Sequence, residues 1–413
     1  MPRVRSLRVL LLLSGSLSLG CGSGESHPAG AVDGGQATRD AGRDAIGAAA
    51  EGGGRGRLSR YAKPGELGPF PIGFVVRPFV DDARPEVATT DAADHRTLPT
   101  VVWYPAGEEA RKQAKSTYAD YFTPALQGAL AALAPAGFLA TSSDSVRDAS
   151  VAADGPFPLI VFSHGNGGLG VQSFFLTEYL ASHGYIVVCP DHTGNALLTE
   201  LPDGQTVSQG ANGYSVAQSA TDRPADVTFL VDAMGKLGDA DPDGRFTGKV
   251  DLEHIGITGH SFRGLTTLLV MEQDPRFDVG APMAPAAPAT SVIDRPVMDF
   301  TATEDHTVQN AATETNYASL AGPKMYISVT DAGHFSFSNG CPLGIGAGDG
   351  WGAGTRADGT PFTYLEDKKV HAITRYYQTA LWGLYLKGID AYRDDLLAEP
   401  FSANVTITRD GMP

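Results

Sequence analysis

Three residues of this chain could together cleave an acyl bond, and they follow one another in the order Ser261, Asp305, His334. A serine hydroxyl is a weak nucleophile at neutral pH. It needs a base to take its proton, a carboxylate to hold that base in the right tautomer, and N–H donors for the oxyanion that forms. Ser261 lies in Gly259-His260-Ser261-Phe262, at the end of an apolar run and just before Leu265-Thr266-Thr267-Leu268-Leu269-Val270-Met271, which reads as a buried helix. A serine at the apex of a strand–turn–helix sits in a strained backbone conformation that projects its oxygen out of the sheet. Three histidines follow it. His371 falls inside a helical stretch and is expected to be structural, and His306 belongs to the loop of the expected acid. His334, in Asp331-Ala332-Gly333-His334-Phe335, follows an expected strand and is the expected base. The acid is sought at the end of the preceding strand, in Thr303-Glu304-Asp305-His306. Asp305 is the choice and Glu304 its rival, while Asp299 should lie within the strand and reach less well. The oxyanion donors expected are the backbone N–H of Phe262 and one from His164-Gly165-Asn166-Gly167-Gly168, assigned to Asn166. A metal site is the weaker reading of the histidines. There is no His-Glu-x-x-His, and His164, His192, His306 and His334 fall in separate loops.

These residues need a scaffold that brings distant loops together. Apolar runs predict strands over 74–80, 96–104, 157–162 and 185–188, then the strand before Ser261, then 277–283, 296–302 and 324–329. Helices are expected over 171–183, from Pro224 in a first turn to about 237, over 265–271, and over 368–386. The alternation predicts an α/β protein with a mostly parallel, doubly wound sheet, helices on both faces, and a site at the carboxyl ends of the strands. Residues 196–221 read as a long surface loop. Residues 108–153 read as a helical insertion after an early strand: Tyr118, Tyr121, Phe122, Leu126, Leu130 and Leu133 recur at helical spacing, with Pro124 and Pro135 as breaks. The insertion could cap the site or pack on the scaffold's flank.

The 413-residue chain carries a net charge of −16, and its folded part has no Lys/Arg cluster, which argues against a nucleic-acid partner. Residues 1–21 read as an export signal, with Arg3, Arg5 and Arg8 before a short apolar segment and Cys21 as a lipoprotein-type cysteine. Ser18 stands where such signals usually have leucine, and plain secretion is the alternative. A lipid at Cys21 would be the chain's membrane contact. Residues 22–60, rich in Gly, Ala, Asp and Arg, read as a tether, and 61–413 as the folded domain. Cys189 and Cys341 are a candidate disulfide, with two buried thiols as the alternative. The oligomeric state is left open.

The chain resembles the platelet-activating-factor acetylhydrolase and dienelactone-hydrolase-like branch of the α/β-hydrolases, and more distantly the bacterial polyester hydrolases and cutinases. The motifs that carry the resemblance are Tyr104-Pro105-Ala106, Phe162-Ser163-His164-Gly165, Ala181-Ser182-His183-Gly184-Tyr185, Pro190-Asp191-His192-Thr193-Gly194-Asn195, Gly259-His260-Ser261-Phe262 and Ala332-Gly333-His334-Phe335-Ser336-Phe337. The resemblance implies an α/β-hydrolase fold and hydrolysis of a small-molecule or lipid ester without a metal or organic cofactor. The family pattern has glycine where this chain has Arg263, and glycine follows one place later, at Gly264. An arginine there would displace the start of the helix and with it the Phe262 amide. The expectation is an impaired hydrolase that Arg263→Gly speeds up, or, in another class, a surface binding module that keeps only the fold.

Overall fold

The computed structural model describes residues 60–412 apart from positions 133 and 289, and excepting the side chain of Arg263. The expected export signal, Cys21 and nearly all of the expected tether lie outside the described residues. The strands are β1 (Ile72–Pro85), β2 (His95–Pro105), β3 (Ser145–Arg147), β4 (Phe157–Ser163), β5 (Ile186–Pro190), β6 (Leu198–Glu200), β7 (Thr206–Ser208), β8 (Val250–His260), β9 (Phe277–Met283), β10 (Val297–Ala302), β11 (Lys324–Val329), β12 (Ala353–Thr355), β13 (Pro361–Thr363) and β14 (Val405–Asp410). The helices are α1 (Pro124–Ala131), α2 (Phe174–Ser182), α3 (Val216–Ala240), α4 (Phe262–Gln273), α5 (Asn310–Ser319), α6 (Asp367–Tyr385) and α7 (Tyr392–Leu397). Among the described residues a ten-stranded sheet runs β14-β11-β10-β9-β8-β4-β5-β2-β1-β3. The inner run from β11 to β5 is parallel throughout, and β2 and β14 are antiparallel to the strands they join. This is the α/β-hydrolase fold.

Side-chain alternation along the central strands builds a core on each face. In β4, Phe157, Leu159 and Val161 pack with Val227, Leu230 and Leu268 of α3 and α4, while Ile160 and Phe162 pack with Leu176, Leu180 and Trp382 of α2 and α6. A strand buried on both faces must be apolar at every position, which is why this segment reads as an unbroken run. Parallel strands also place all their carboxyl ends on one rim, where the loops after β4, β8, β10 and β11 meet.

The expectations for three segments need correction. Residues 108–153 are only partly helical: α1 is one eight-residue helix among short 3-10 turns, and β3 pairs in parallel with β1 and lengthens the sheet. Thr123 caps α1 through the Leu126 amide with Pro124 in its first turn, and Gly137 at φ 86° opens the 3-10 turn that follows. Residues 196–221 are not one loop, because β6 and β7 form a hairpin and α3 has already begun at Val216. Pro224 therefore stands inside α3 rather than in its first turn. The Ser215 hydroxyl caps the helix by accepting from Gln218 N at 3.1 Å, and the early turns bury Ser219 and Arg223. That cap and buried face outweigh the ladder bond lost at proline. The third correction is the disulfide. Cys189 is a free, buried thiol, so it is not bridged to Cys341. Alternation along β5 turns its side chain with Val187 into the core under α2, beside Thr177 and Trp103, and burial pushes the thiol's pKa up. The unforeseen β14 pairs with β11 and covers what would otherwise be an edge.

Candidate active site

Ser261 is the residue between β8 and α4. Its backbone has φ 66° and ψ −131°, a region that non-glycine residues rarely occupy. The turn is held by Ser261 N donating to Met283 O (2.9 Å) and by Ser261 O accepting from Gly264 N (2.9 Å) and Ala286 N (3.2 Å). The close approach of helix and strand falls on Gly264: a Cβ there would stand 2.3 Å from Pro285 Cβ. The glycine that comes one place late is thus the one the packing requires. The expected effect of Arg263 rests on a side chain outside those described.

His334 Nε2 lies 2.7 Å from Ser261 Oγ, and His334 Nδ1 lies 2.8 Å from Asp305 Oδ2. The second carboxylate oxygen of Asp305 accepts from Thr307 N (2.9 Å) and Val308 N (2.7 Å), which fixes the carboxylate toward the imidazole. Glu304 turns away and pairs with Arg356, which also pairs with Asp331. Asp299 lies inside β10, fully buried, and burial raises its pKa to about 8. His371 is held in α6, with Nε2 donating to Ser338 O at 3.0 Å and its ring stacked on Phe175. The backbone N–H of His306 donates to Asp349 Oδ1.

Asn166 follows β4 and faces Ser261 across one cavity of about 260 Å³, with Gly165, His260 and His334 also on its wall. In the same loop Gly165 N donates to Gln172 Oε1 (2.6 Å), Gly167 N to Asn195 O (3.1 Å) and Gly168 N to Gly165 O (2.9 Å). The rest of the lining is mostly apolar. Phe122, Leu130 and Phe138 come from the segment after β2, Phe174 from α2, and Leu343 and Ile345 from the loop beyond His334.

Three positioning residues escaped the sequence reading. Gln172 Nε2 donates to His260 Nδ1 at 2.7 Å, and His260 Nε2 donates to His334 O at 2.8 Å. With the Gly165 bond, these join the Asn166 loop, the serine turn and the histidine loop in one chain. Burial lowers the His260 pKa to about 3, so the imidazole is neutral and has the single N–H that this pattern needs. Asp349 Oδ1 accepts from both His334 N (2.9 Å) and His306 N (3.0 Å), pinning the base loop to the acid loop. His260, next to the serine, had a local signal in the sequence. Gln172 and Asp349 had none.

A serine, imidazole and carboxylate in this register can pass a proton from hydroxyl to ring while the carboxylate fixes the tautomer. The chain is also similar to known proteins. Residues 89–207 match the family model "Platelet-activating factor acetylhydrolase, isoform II". The chain is 30% identical over 152 residues to a platelet-activating factor acetylhydrolase of Canis lupus familiaris, covering 30% of this chain and 34% of the relative. It is 25% identical over 152 residues to that of Cavia porcellus, covering 31% and 35%. These matches span about a third of the relatives' length. A solved ferulic acid esterase from Streptomyces cinnamoneus superposes with a TM-score of 0.61 at 24% identity, over 77% of this chain and 91% of that one.

Proposed function

We propose that this chain, an α/β-hydrolase of the branch that holds the platelet-activating-factor acetylhydrolases and related esterases, is a serine carboxylic-ester hydrolase working through an acyl-enzyme. The observation that carries the reading is the Asp305–His334–Ser261 relay, with contacts of 2.8 and 2.7 Å, opening into a largely apolar cavity. Ser261 Oγ attacks the ester carbonyl as His334 Nε2 takes its proton. The oxyanion is held by the backbone N–H groups of Phe262 and Asn166. His334 then gives its proton to the departing alcohol. A water enters, loses a proton to His334 and attacks the acyl carbon, and Ser261 leaves reprotonated. Asp305 stabilises the imidazolium in both steps without taking the proton. A small-molecule or lipid ester suits such a cavity.

The test is turnover of a short p-nitrophenyl ester together with labelling by a fluorophosphonate. The parent should turn over the ester and take up one label per chain, at Ser261, and Ser261→Ala should do neither. A folded parent with neither property favours the binding-module reading over the esterase.

Export belongs to the same proposal, with Cys21 lipidated and residues 22–60 holding the enzyme off the membrane. Cys21→Ala should move the protein from the membrane to the soluble fraction or leave it unprocessed. An unmodified mature terminus by intact mass would remove the anchor from the proposal. Among the described residues no helix is long and apolar enough to cross a membrane.

A further inference from the structure

Behind the Asn166 loop lies a buried polar cluster whose own members, Ser163, His164, His192, Asn195 and Arg223, do not line the cavity. At its centre is Arg223 of α3, fully buried. Its hydrogen bonds run to neutral oxygens: Nε to Ser219 Oγ (2.8 Å), Nη1 to His164 O (3.2 Å) and Ser163 Oγ (3.3 Å), and Nη2 to Asn195 Oδ1 (2.5 Å). The nearby carboxylates are engaged elsewhere. Asp226 binds Arg96 through Nε (3.0 Å) and Nη2 (2.7 Å), and Glu86 binds Arg96 Nη1 at 3.2 Å. A guanidinium so buried, hydrogen-bonded to neutral oxygens rather than to a carboxylate, is a costly arrangement if stability were its sole purpose.

The cluster ends on the peptide that carries the Asn166 N–H. The carbonyl of that peptide, Gly165 O, accepts from His164 Nδ1 at 2.8 Å. His192 N donates to His164 Nε2 at 3.1 Å, which leaves the proton on Nδ1 and makes that ring the donor to Gly165 O. The Asn166 side chain is fixed too: Asn195 Nδ2 donates to Asn166 Oδ1 at 3.0 Å, and Asn195 itself is anchored by Arg223. Hydrogen bonds at one end of a peptide polarise its other end, and a donor held in place before reaction needs no reorganisation when the oxyanion forms.

We propose that Arg223 is a positioning residue for the oxyanion donor: it locks residues 163–166 and, through Asn195, the Asn166 side chain, and sets a positive charge behind the Asn166 amide. The proposal rests on the esterase reading. Its effect is on the transition state rather than on substrate binding, so it acts on kcat and leaves KM nearly unchanged.

The experiment measures kcat and KM for a short p-nitrophenyl ester, with active sites counted by the endpoint of fluorophosphonate labelling, in the parent, Arg223→Met and Asn195→Asp. Asn195→Asp is nearly isosteric and keeps the acceptor for Arg223, but loses the donor to Asn166. It therefore folds even if Arg223→Met does not. Expected is a fall in kcat per titrated site on the order of tenfold for Asn195→Asp and up to a hundredfold for Arg223→Met, with KM within about threefold. Parent-like kcat per titrated site in Asn195→Asp overturns the proposal, as does a loss that appears only as fewer active sites. A parent with neither ester turnover nor fluorophosphonate uptake overturns the esterase reading as well, whereas an active parent with unchanged variants overturns this proposal alone.

Discussion

Asp305, His334 and Ser261 are joined by contacts of 2.8 and 2.7 Å. Asp226, His192 and Ser163 are joined by 2.8 and 2.9 Å in the same atom order, carboxylate to Nδ1 and Nε2 to hydroxyl. The two relays differ in what surrounds them. Ser261 sits at a forced backbone turn and lines the cavity, whereas Ser163 is the last residue of a regular strand and fully buried. Asp305 is held by two backbone amides beside its histidine, but Asp226 is claimed by Arg96, and Ser163 also receives a hydrogen bond from Arg223. Burial and the adjoining arginine lower the His192 pKa to about 3, so this ring cannot hold a transferred proton at neutral pH. Triad distances are therefore not sufficient for a nucleophile. Access and a projected hydroxyl separate the candidate nucleophile, Ser261, from the buried Ser163.

The largest expected difference lies between the serines. Ser261→Ala should lower kcat by roughly a thousandfold or more and abolish fluorophosphonate uptake, with peptide mapping of the labelled parent showing Ser261 alone. A label on Ser163 would break the distinction. The carboxylates come next. Asp305→Asn should cost on the order of a thousandfold in kcat with the melting temperature nearly unchanged, while Glu304→Gln, which touches Arg356 instead, should be mild. Asp226→Asn should act mainly on folding, about 3 kcal/mol by denaturant titration, because it leaves buried Arg96 short of its carboxylate. An Asp226→Asn chain that is stable but inactive would reverse the roles given to the two aspartates.

A third, smaller effect is in pH. Below 6.5 the unfolded chain protonates His192, but the folded chain refuses that proton until about pH 3. The contribution of neutral His192 is therefore present above pH 6.5 and is lost as pH falls toward 3. Its replacement by asparagine removes this term, so the stability gap between parent and His192→Asn should narrow by roughly 1 to 2 kcal/mol from pH 7 to pH 5. A gap that widens on acidification would mean that His192 is charged in the fold. Smallest of all, Ser163→Ala should lower kcat per active site by only a few-fold.

The parts of the site carried by local pattern could be read directly in the sequence. An apolar run, Gly-x-Ser and a buried helix mark Ser261, and His334 and Asp305 each follow a strand of nearly the expected bounds. The choice between Glu304 and Asp305 could not be read so firmly, because the partner that draws Glu304 away, Arg356, is remote in sequence. For the same reason Gln172 and Asp349 were invisible: a single polar residue has no period. Pro224 was read as a first-turn residue, so the true start of α3 at the Ser215 cap was missed. The free state of Cys189 could not be read, because β5 is buried on both faces and its apolar run does not say which face the thiol joins. The family match over 89–207 spans the Asn166 loop but none of Ser261, Asp305 and His334, so the relay stands on geometry rather than on that match.

The φ of 66° at Ser261 has a consequence for selection. A side chain in this region costs about 1 to 3 kcal/mol, but glycine enters it almost freely. Ser261→Gly should therefore leave an inert chain that melts higher than its parent. A library of this protein screened only for survival after heating would enrich that change and discard the activity. Any search for hardier variants must score turnover in the same round as heat resistance.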